Sequence, residues 1–395
     1  MAKCAIIILW YCVMHLYIET YQNRPTRAEV SLGRLRNNFE IVRSLVGAGV
    51  KIMAMVKSNA YGHGIRTVSE EFLKAGAHYL GVAYLEEAVY LRRSGITAPI
   101  LVCGAINTDQ IEDFLRNDIE ITSSSIEKSE AISSTAKRLG KTAVVHLKID
   151  TGMERIGVHW YNAEKFISRT LELPGITVKG IFSHLAKAES DREFTDLQIS
   201  RFEKVVDFMA RKYMLPEFMH LANSAAIISS PGSHFNMVRP GIMLYGYNPF
   251  GLDPNRNFGG RKLMPAMTLK TTVSYFKVCP PDTGISYNHT YATRGQTRIV
   301  TLPVGYGDGY NRQLSNRGEV IIRGRRHPVV GAVCMDQIMV DIGPDGTAYN
   351  GDDVLLFGEL NNDSIPLESL CGKIGTITYE LLCAISSRVP RIFVD

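Results

Sequence analysis

Lys57 ends an apolar run, Lys51-Ile52-Met53-Ala54-Met55-Val56, and opens the segment Ser58-Asn59-Ala60-Tyr61-Gly62-His63-Gly64. An amine at the end of a buried strand, facing a glycine-containing loop, is desolvated and becomes nucleophilic. The chemistry this suits is a Schiff base with a carbonyl cofactor such as pyridoxal phosphate. A lone lysine at a strand end is more commonly a plain surface residue, so the weight rests on its companions. Four further polar groups follow apolar runs: Asp150-Thr151-Gly152-Met153-Glu154-Arg155, His184, Asn223-Ser224 and Arg239-Pro240-Gly241.

The elements that must position these groups alternate. Strand candidates are Lys51–Val56, Tyr79–Ala83, Pro99–Cys103, Ile119–Thr122, Ala143–Ile149, Val178–Ser183, Phe218–Leu221 and Met237–Leu244. Between them lie stretches with apolar residues three and four apart, such as Thr67–Ala75, Leu85–Arg93, Ile126–Leu139 and Asp196–Tyr213, which predicts amphipathic helices. Eight β/α alternations are the pattern of a (β/α)8 barrel, whose chemistry gathers at the carboxyl ends of its strands. Every polar group named above falls at such an end. After about Arg261 the helical period stops. Short runs such as Leu269–Phe276, Arg298–Leu302, Glu319–Ile322, Val329–Val333 and Val354–Phe357 are separated by Gly, Pro, Asn and Asp. This predicts a mainly β domain, with helices only at Leu367–Ile374 and Tyr379–Ala384. The expected organisation is an apolar extension over 1–25, the barrel over 26–260 and the β domain over 261–395.

A chain of 395 residues suits two domains, and 45% hydrophobic with 21% charged residues fits an ordinary globular protein. The net charge of +5 is mild and scattered, which argues against nucleic-acid binding. Seven cysteines without a CxxC pair point to a reducing compartment, with neither a disulfide framework nor a zinc site. His78, His159 and His327 lack metal-ligand spacing, so no metal is expected. Cys4–Tyr17 is almost wholly apolar, yet shorter than the roughly 20 residues a bilayer span needs, and no small-residue cleavage site follows it. The expectation is a cytoplasmic protein. The apolar N-terminus leaves open a membrane-associated form, through this stretch or an upstream domain.

Taken together, these segments resemble the bacterial alanine racemase family, pyridoxal-phosphate enzymes with a barrel and a C-terminal β domain. The matching motifs are Val56–Gly64, His146–Gly157, Gly180–Ala186, His220–Ala226, Asn236–Gly246, Ser286-Tyr287, Gly305–Tyr310, Gly331–Gln337 and Arg388–Arg391. The resemblance implies that Lys57 holds the cofactor as a Schiff base and acts as one catalytic base. Tyr287 would be the other base, supplied by a partner subunit, so that a homodimer shares its active sites. Tyr61, Ser224, Gly241 and Ile242 would hold the cofactor phosphate; hydroxyls and backbone N–H groups suit that anion. Arg239 would face the pyridine nitrogen with His184 beside it. Arg155 and the partner's backbone at Met335 would hold the substrate carboxylate, with Tyr306 and Ser387 lining the substrate site. Lys148 matches a lysine that is carbamylated in several members. An arginine, whose pKa exceeds 12, does not readily give the ring a proton. A weaker electron sink favours racemisation over transamination, and two bases on opposite faces allow inversion.

Three positions depart from the family pattern. Ser387 stands before Arg388-Val389-Pro390-Arg391 where members often carry tyrosine, Ala332 replaces an entry-channel arginine, and Cys103 replaces a leucine near the cofactor ring. A smaller residue with a hydroxyl opens space for serine beside alanine, because small apolar pockets reject an added hydroxyl only weakly. These changes fit the serine racemases of glycopeptide resistance as an alternative to alanine racemisation for peptidoglycan precursors. The related barrel decarboxylases use an acidic partner for the ring nitrogen, which Arg239 argues against. Non-catalytic pyridoxal-phosphate carriers lack the β domain.

Overall fold

The structure, a computed structural model, describes residues 23–251, 258 and 260–395. The apolar stretch Cys4–Tyr17 lies outside the described residues, as does most of the turn-rich stretch that follows Asn248. The chain forms two compact units. One spans Arg34–Met264; the other joins the residues up to Gly33 with Pro265–Asp395.

The first unit is a closed barrel of eight parallel strands: Lys51–Met55, Tyr79–Val82, Ile100–Val102, Glu120–Ser123, Ala143–Asp150, Ile176–Phe182, Phe218–His220 and Met237–Val238. Successive strands pair in chain order, and Met237–Val238 returns to Lys51-Ile52 to close the ring. Strands covered on both faces need apolar residues throughout; Tyr79–Val82 and Ile100–Val102 are buried at every position. The helix predicted over Ile126–Leu139 forms with those bounds. Ser125 caps it by accepting the Lys128 N–H, and Gly140 ends it at φ 61°, the left-handed conformation that glycine adopts without a Cβ penalty.

The eighth strand is much shorter than the Met237–Leu244 expected. Only Met237 and Val238 pair as a strand, and Ile242–Tyr245 forms a 3-10 turn. Pro240 has no N–H to give a sheet ladder, and Gly241 turns the chain at φ −116° and ψ −96°. An apolar run therefore reads as strand past the point where the backbone can pair.

The second unit is built on a sheet ordered Tyr275–Cys279, Thr297–Leu302, Ile338–Asp341, Arg325–Val330, Glu319–Ile322, Asp353–Leu360, Met267–Thr272, Arg27–Ser31 and Arg391–Val394. Arg27–Ser31 pairs antiparallel with Met267–Thr272 and parallel with Arg391–Val394. The expected boundary at residue 26 assigned this segment to the barrel. Its alternation, with Ala28 and Val30 buried, marks a half-buried strand but does not say which sheet receives it. The expected single run Leu269–Phe276 is two strands broken at Val273-Ser274. Among the described residues no helix is long and apolar enough to cross a membrane.

Candidate active site

Lys57 is half-buried directly after the first barrel strand. The four residues after it, Ser58, Asn59, Ala60 and Tyr61, have φ between 52° and 54°, a turn of left-handed helix. For L-residues this conformation costs roughly 1–2 kcal/mol each, so the surroundings must hold it. Glu87 does so from the next βα unit. Its Oε1 accepts the Ser58 N–H at 2.6 Å and its Oε2 the Ala83 N–H at 2.8 Å. Asn59 Oδ1 accepts the Ile65 N–H at 2.8 Å, and the His63 Nδ1–H donates to the Tyr61 carbonyl at 2.8 Å. The Tyr61 ring stacks on Tyr245 at 4.6 Å, and Tyr245 Oη donates to the Met55 carbonyl at 2.8 Å. His63 thus supports the loop.

Tyr61, Ser224, Gly241 and Ile242 meet at the ends of the first, seventh and eighth strands. Ser224 Oγ accepts the Gly241 N–H at 2.9 Å, and Asn223 caps the following helical turn by accepting the Ala226 N–H. A Cβ on Gly241 would lie 2.4 Å from Tyr61 Oη, so only glycine lets this hydroxyl approach the backbone. The result is a cradle of hydroxyls and N–H groups, suited to an anion.

Arg239 is 5% exposed. Its Nη1 donates to the His220 carbonyl at 2.7 Å and to His220 Nδ1 at 3.0 Å; its Nη2 donates to the Ser183 carbonyl at 2.6 Å and lies 3.5 Å from His184 Nδ1. Burial pushes the guanidinium down to about 10, opposed by Cys103 and assisted by Arg155, so it remains a cation at neutral pH. His184 is held well below the ordinary histidine range by burial and then by Arg239, Lys148, Arg155 and Lys57; it is neutral. Lys148, 4% exposed with its amine 4.6 Å from the Phe182 ring, is driven well below the usual lysine range by burial and then Arg239. Burial raises the Cys103 thiol against the pull of Arg239, Lys57 and Lys148. Lys57, Cys103, Lys148, Arg155, His184 and Arg239 lie at or just after the carboxyl ends of the first, third, fifth, sixth and eighth strands, and so around one end of the barrel. Arg155 is exposed, on a loop pinned by Asp150. That carboxylate accepts the N–H groups of Gly152, Met153 and Arg155 at 2.8–3.2 Å. Burial would raise its pKa, but these bonds outweigh burial and lower it.

The second unit holds the remaining predicted residues. Tyr287 is 70% exposed, Met335 53% and Tyr306 43%, and Ser387 is exposed too. Their loops are tied together. Ser286 Oγ donates to the Ala332 carbonyl at 2.7 Å, the Tyr306 N–H to the Cys334 carbonyl at 3.0 Å and the Gly307 N–H to the Met335 carbonyl at 2.9 Å. Arg388 bridges Asp308 and Asp336, and the Ser386 N–H donates to the Asp308 carbonyl. Left-handed φ at Ser286, Asn288 and His289 marks the Tyr287 turn as strained.

Comparison with known proteins decides the family. Residues 30–249 match the N-terminal domain of alanine racemase and residues 266–393 its C-terminal domain. The chain belongs to the alanine racemase family. It is 42% identical to the alanine racemase of Methanococcus maripaludis, over 94% of this chain and 99% of that protein. Among solved structures, the alanine racemase of Clostridium difficile 630 superposes with a TM-score of 0.87 at 38% identity, over 94% of this chain and 96% of that one. A histidine racemase from Leuconostoc mesenteroides superposes with a TM-score of 0.85 at 26% identity, over 95% and 100%.

Family membership implies use of pyridoxal phosphate and a small amino-acid substrate. The residues present fit that cofactor. The anion cradle at Gly241 contains no carboxylate, Lys57 borders the same barrel end, and Arg239 offers only donors. Several supporting residues were not found from sequence. Glu87, which anchors the strained turn, sits in an ordinary amphipathic helix, and Asp308, buried at 1%, is one acidic residue in a glycine-rich loop. Each also makes a local bond, Glu87 to the Ala83 N–H and Asp308 to the Gly305 N–H, but the contacts that tie distant segments, to Ser58 and to Arg388, leave no local pattern.

Proposed function

We propose that this protein interconverts L- and D-alanine with pyridoxal phosphate, supplying a D-amino acid for peptidoglycan. The observation that carries the reading is Arg239, a buried guanidinium bound by carbonyls and imidazoles where the decarboxylases of this architecture use an acid. The cofactor, when bound, supplies an electron sink that acidifies the substrate's α-hydrogen. Lys57 holds the cofactor and moves a proton at one face of the α-carbon. Tyr287 of a second copy moves a proton at the other face; its exposure in the single chain is consistent with a role outside its own subunit. Tyr61, Ser224, Gly241 and Ile242 hold the phosphate. Arg155 and the backbone at Met335 of a second copy orient the substrate carboxylate, and Tyr306 lines the substrate site. Arg239, staying protonated, would face the ring nitrogen of the bound cofactor without giving up its proton, and the neutral His184 adds no charge beside it.

Lys148 fits a further part of this reading. A buried amine kept neutral attacks carbon dioxide, forming an N–C bond and losing one proton to give a carbamate. That anion would balance Arg155 and Arg239.

The test is turnover of L-alanine and L-serine by the purified, cofactor-loaded protein, followed by chiral chromatography. Racemisation of alanine is expected. Turnover of neither substrate would overturn the reading. Ser387 favours one second reading, a serine/alanine racemase, because a small hydroxyl residue stands where an aromatic ring narrows the family pocket; serine turnover comparable to alanine would establish it.

A further inference from the structure

Inside the barrel three titratable groups that the mechanism above does not use, Glu120, His146 and His220, lead to Arg239. Glu120 Oε2 is 2.9 Å from His146 Nε2, His146 Nδ1 is 2.8 Å from His220 Nε2, and His220 Nδ1 is 3.0 Å from Arg239 Nη1. The four side chains are 7%, 0%, 0% and 5% exposed. Glu120 opens the fourth barrel strand and Arg239 follows the eighth. The chain therefore crosses the barrel core from the amino ends of the strands to the end where the catalytic groups lie.

Its proton positions follow from chemistry alone. A guanidinium has no acceptor, so Arg239 donates and His220 Nδ1 accepts. The one remaining proton on neutral His220 then sits on Nε2 and is donated to His146 Nδ1. The proton of His146 then sits on Nε2 and is donated to Glu120. Every link has one donor and one acceptor, and both imidazoles are neutral. Burial alone would raise the Glu120 pKa, but the bonds from His146 and Lys179 outweigh it, so the carboxylate stays ionised. The rings are built into place. Phe182 stacks on His220 at 4.7 Å and 4°, and Phe218 lies parallel to His146 at 6.4 Å. A Cβ at Gly180 would lie 2.2 Å from His146 Nδ1, so any other residue there would displace the ring from the relay.

Arg239 makes no direct contact with a carboxylate among the described residues; its partners are carbonyls and imidazole nitrogens. We propose that Glu120, His146 and His220 are positioning residues for racemisation, a relay that brings a remote negative charge to bear on Arg239 and keeps it oriented and protonated. The inference rests on the racemase reading, in which Arg239 must not surrender its proton to the cofactor ring. Hydrogen-bonded chains polarise one another in a low-dielectric interior, so a charge two imidazoles away still favours the guanidinium cation.

Two measurements test this. Nitrogen-15 NMR of labelled histidines in the cofactor-free protein should show Nε2 protonated and Nδ1 bare for both His146 and His220. A protonated Nδ1 on either ring overturns the relay, whatever the enzyme turns over. Glu120→Gln keeps an acceptor for His146 and removes the charge. In the loaded enzyme it should raise the ratio of pyridoxamine phosphate formed to alanine racemised by about tenfold, the order expected from removing one charge in a buried site. Glu120→Asp, which restores the charge, should return most of that ratio. A wild-type ratio in Glu120→Gln, or a ratio in Glu120→Asp as high as in Glu120→Gln, would sink the proposal. Failure of the wild-type enzyme to racemise would instead sink the reading it rests on.

Discussion

Arg239 and Lys148 are both buried basic side chains in the barrel, but their surroundings treat a positive charge differently. Arg239 has three carbonyl acceptors, from His220, Ser183 and Leu221, whereas Lys148 has an aromatic face and two arginines as neighbours. The first keeps its proton at neutral pH; the second is pushed toward losing it. The consequence for Lys148 has a definite sign. Its folded pKa is depressed, so the unfolded chain binds more protons, and stability rises with pH up to the lysine's unfolded value of about 10.4. Lys148→Met should flatten that rise and, in carbon-dioxide-free buffer at neutral pH, stabilise the apo-protein by about 1–4 kcal/mol; urea denaturation across pH measures both. If Lys148 takes up carbon dioxide, labelled bicarbonate should give a carbamate carbon signal that this variant lacks. For Arg239 the expected outcome concerns reaction type. Arg239→Glu gives the ring nitrogen an acidic partner, so racemisation should fall by about 100-fold, the order of losing one preorganised electrostatic donor in a water-poor site, while pyridoxamine phosphate accumulates. Chiral chromatography and cofactor analysis read the two changes.

At the scale of elements, the barrel was legible because fully buried parallel strands leave continuous apolar runs. Lys51–Met55, Tyr79–Val82 and Ala143–Asp150 fall within a residue of their expected limits. The placement of Lys57, Arg155, His184, Ser224 and Arg239 at strand ends follows from that alternation alone. Three things were not legible. The short eighth strand depends on Pro240 and Gly241 more than on apolar character. Arg27–Ser31 has the pattern of a strand but carries no mark of its partners. The left-handed turn Ser58–Tyr61 has no glycine among its four residues, and only the contacts from Glu87, Asn59 and Tyr245 show why it persists. The same turn brings Tyr61 against Gly241, which sets a prediction. Gly241→Ala places a methyl where Tyr61 Oη now lies, and overpacking of this kind costs about 1–3 kcal/mol. Cofactor affinity should fall by about tenfold or more, read by reconstitution with pyridoxal phosphate. The protein should remain folded, because Gly241 lies in a turn and its φ is negative. Unchanged affinity would show that Tyr61 and Gly241 do not form the phosphate cradle.

At the scale of the whole molecule, the predicted catalytic groups divide between the two units. Lys57, Arg155 and Arg239 belong to Arg34–Met264, and Tyr287, Tyr306, Met335 and Ser387 to the other. Tyr287 is 70% exposed, more than a base working in a water-poor site can be while its chain is alone. If a second copy covers it, each site draws Lys57 from one subunit and Tyr287 from the other. Symmetric dimers of this kind allow a decisive mixing experiment. Lys57→Ala and Tyr287→Phe homodimers should each be inactive, since both sites lack one base. A mixed dimer has one site missing both residues and one site intact. Random re-association of equal amounts gives half mixed dimers, so activity should return to about one quarter of wild type. Activity that stays at zero after exchange, with mixed dimers confirmed by tag pull-down, would mean that each site takes both bases from its own chain. Both residues would then act within one subunit, and the exposed Tyr287 surface would need another explanation.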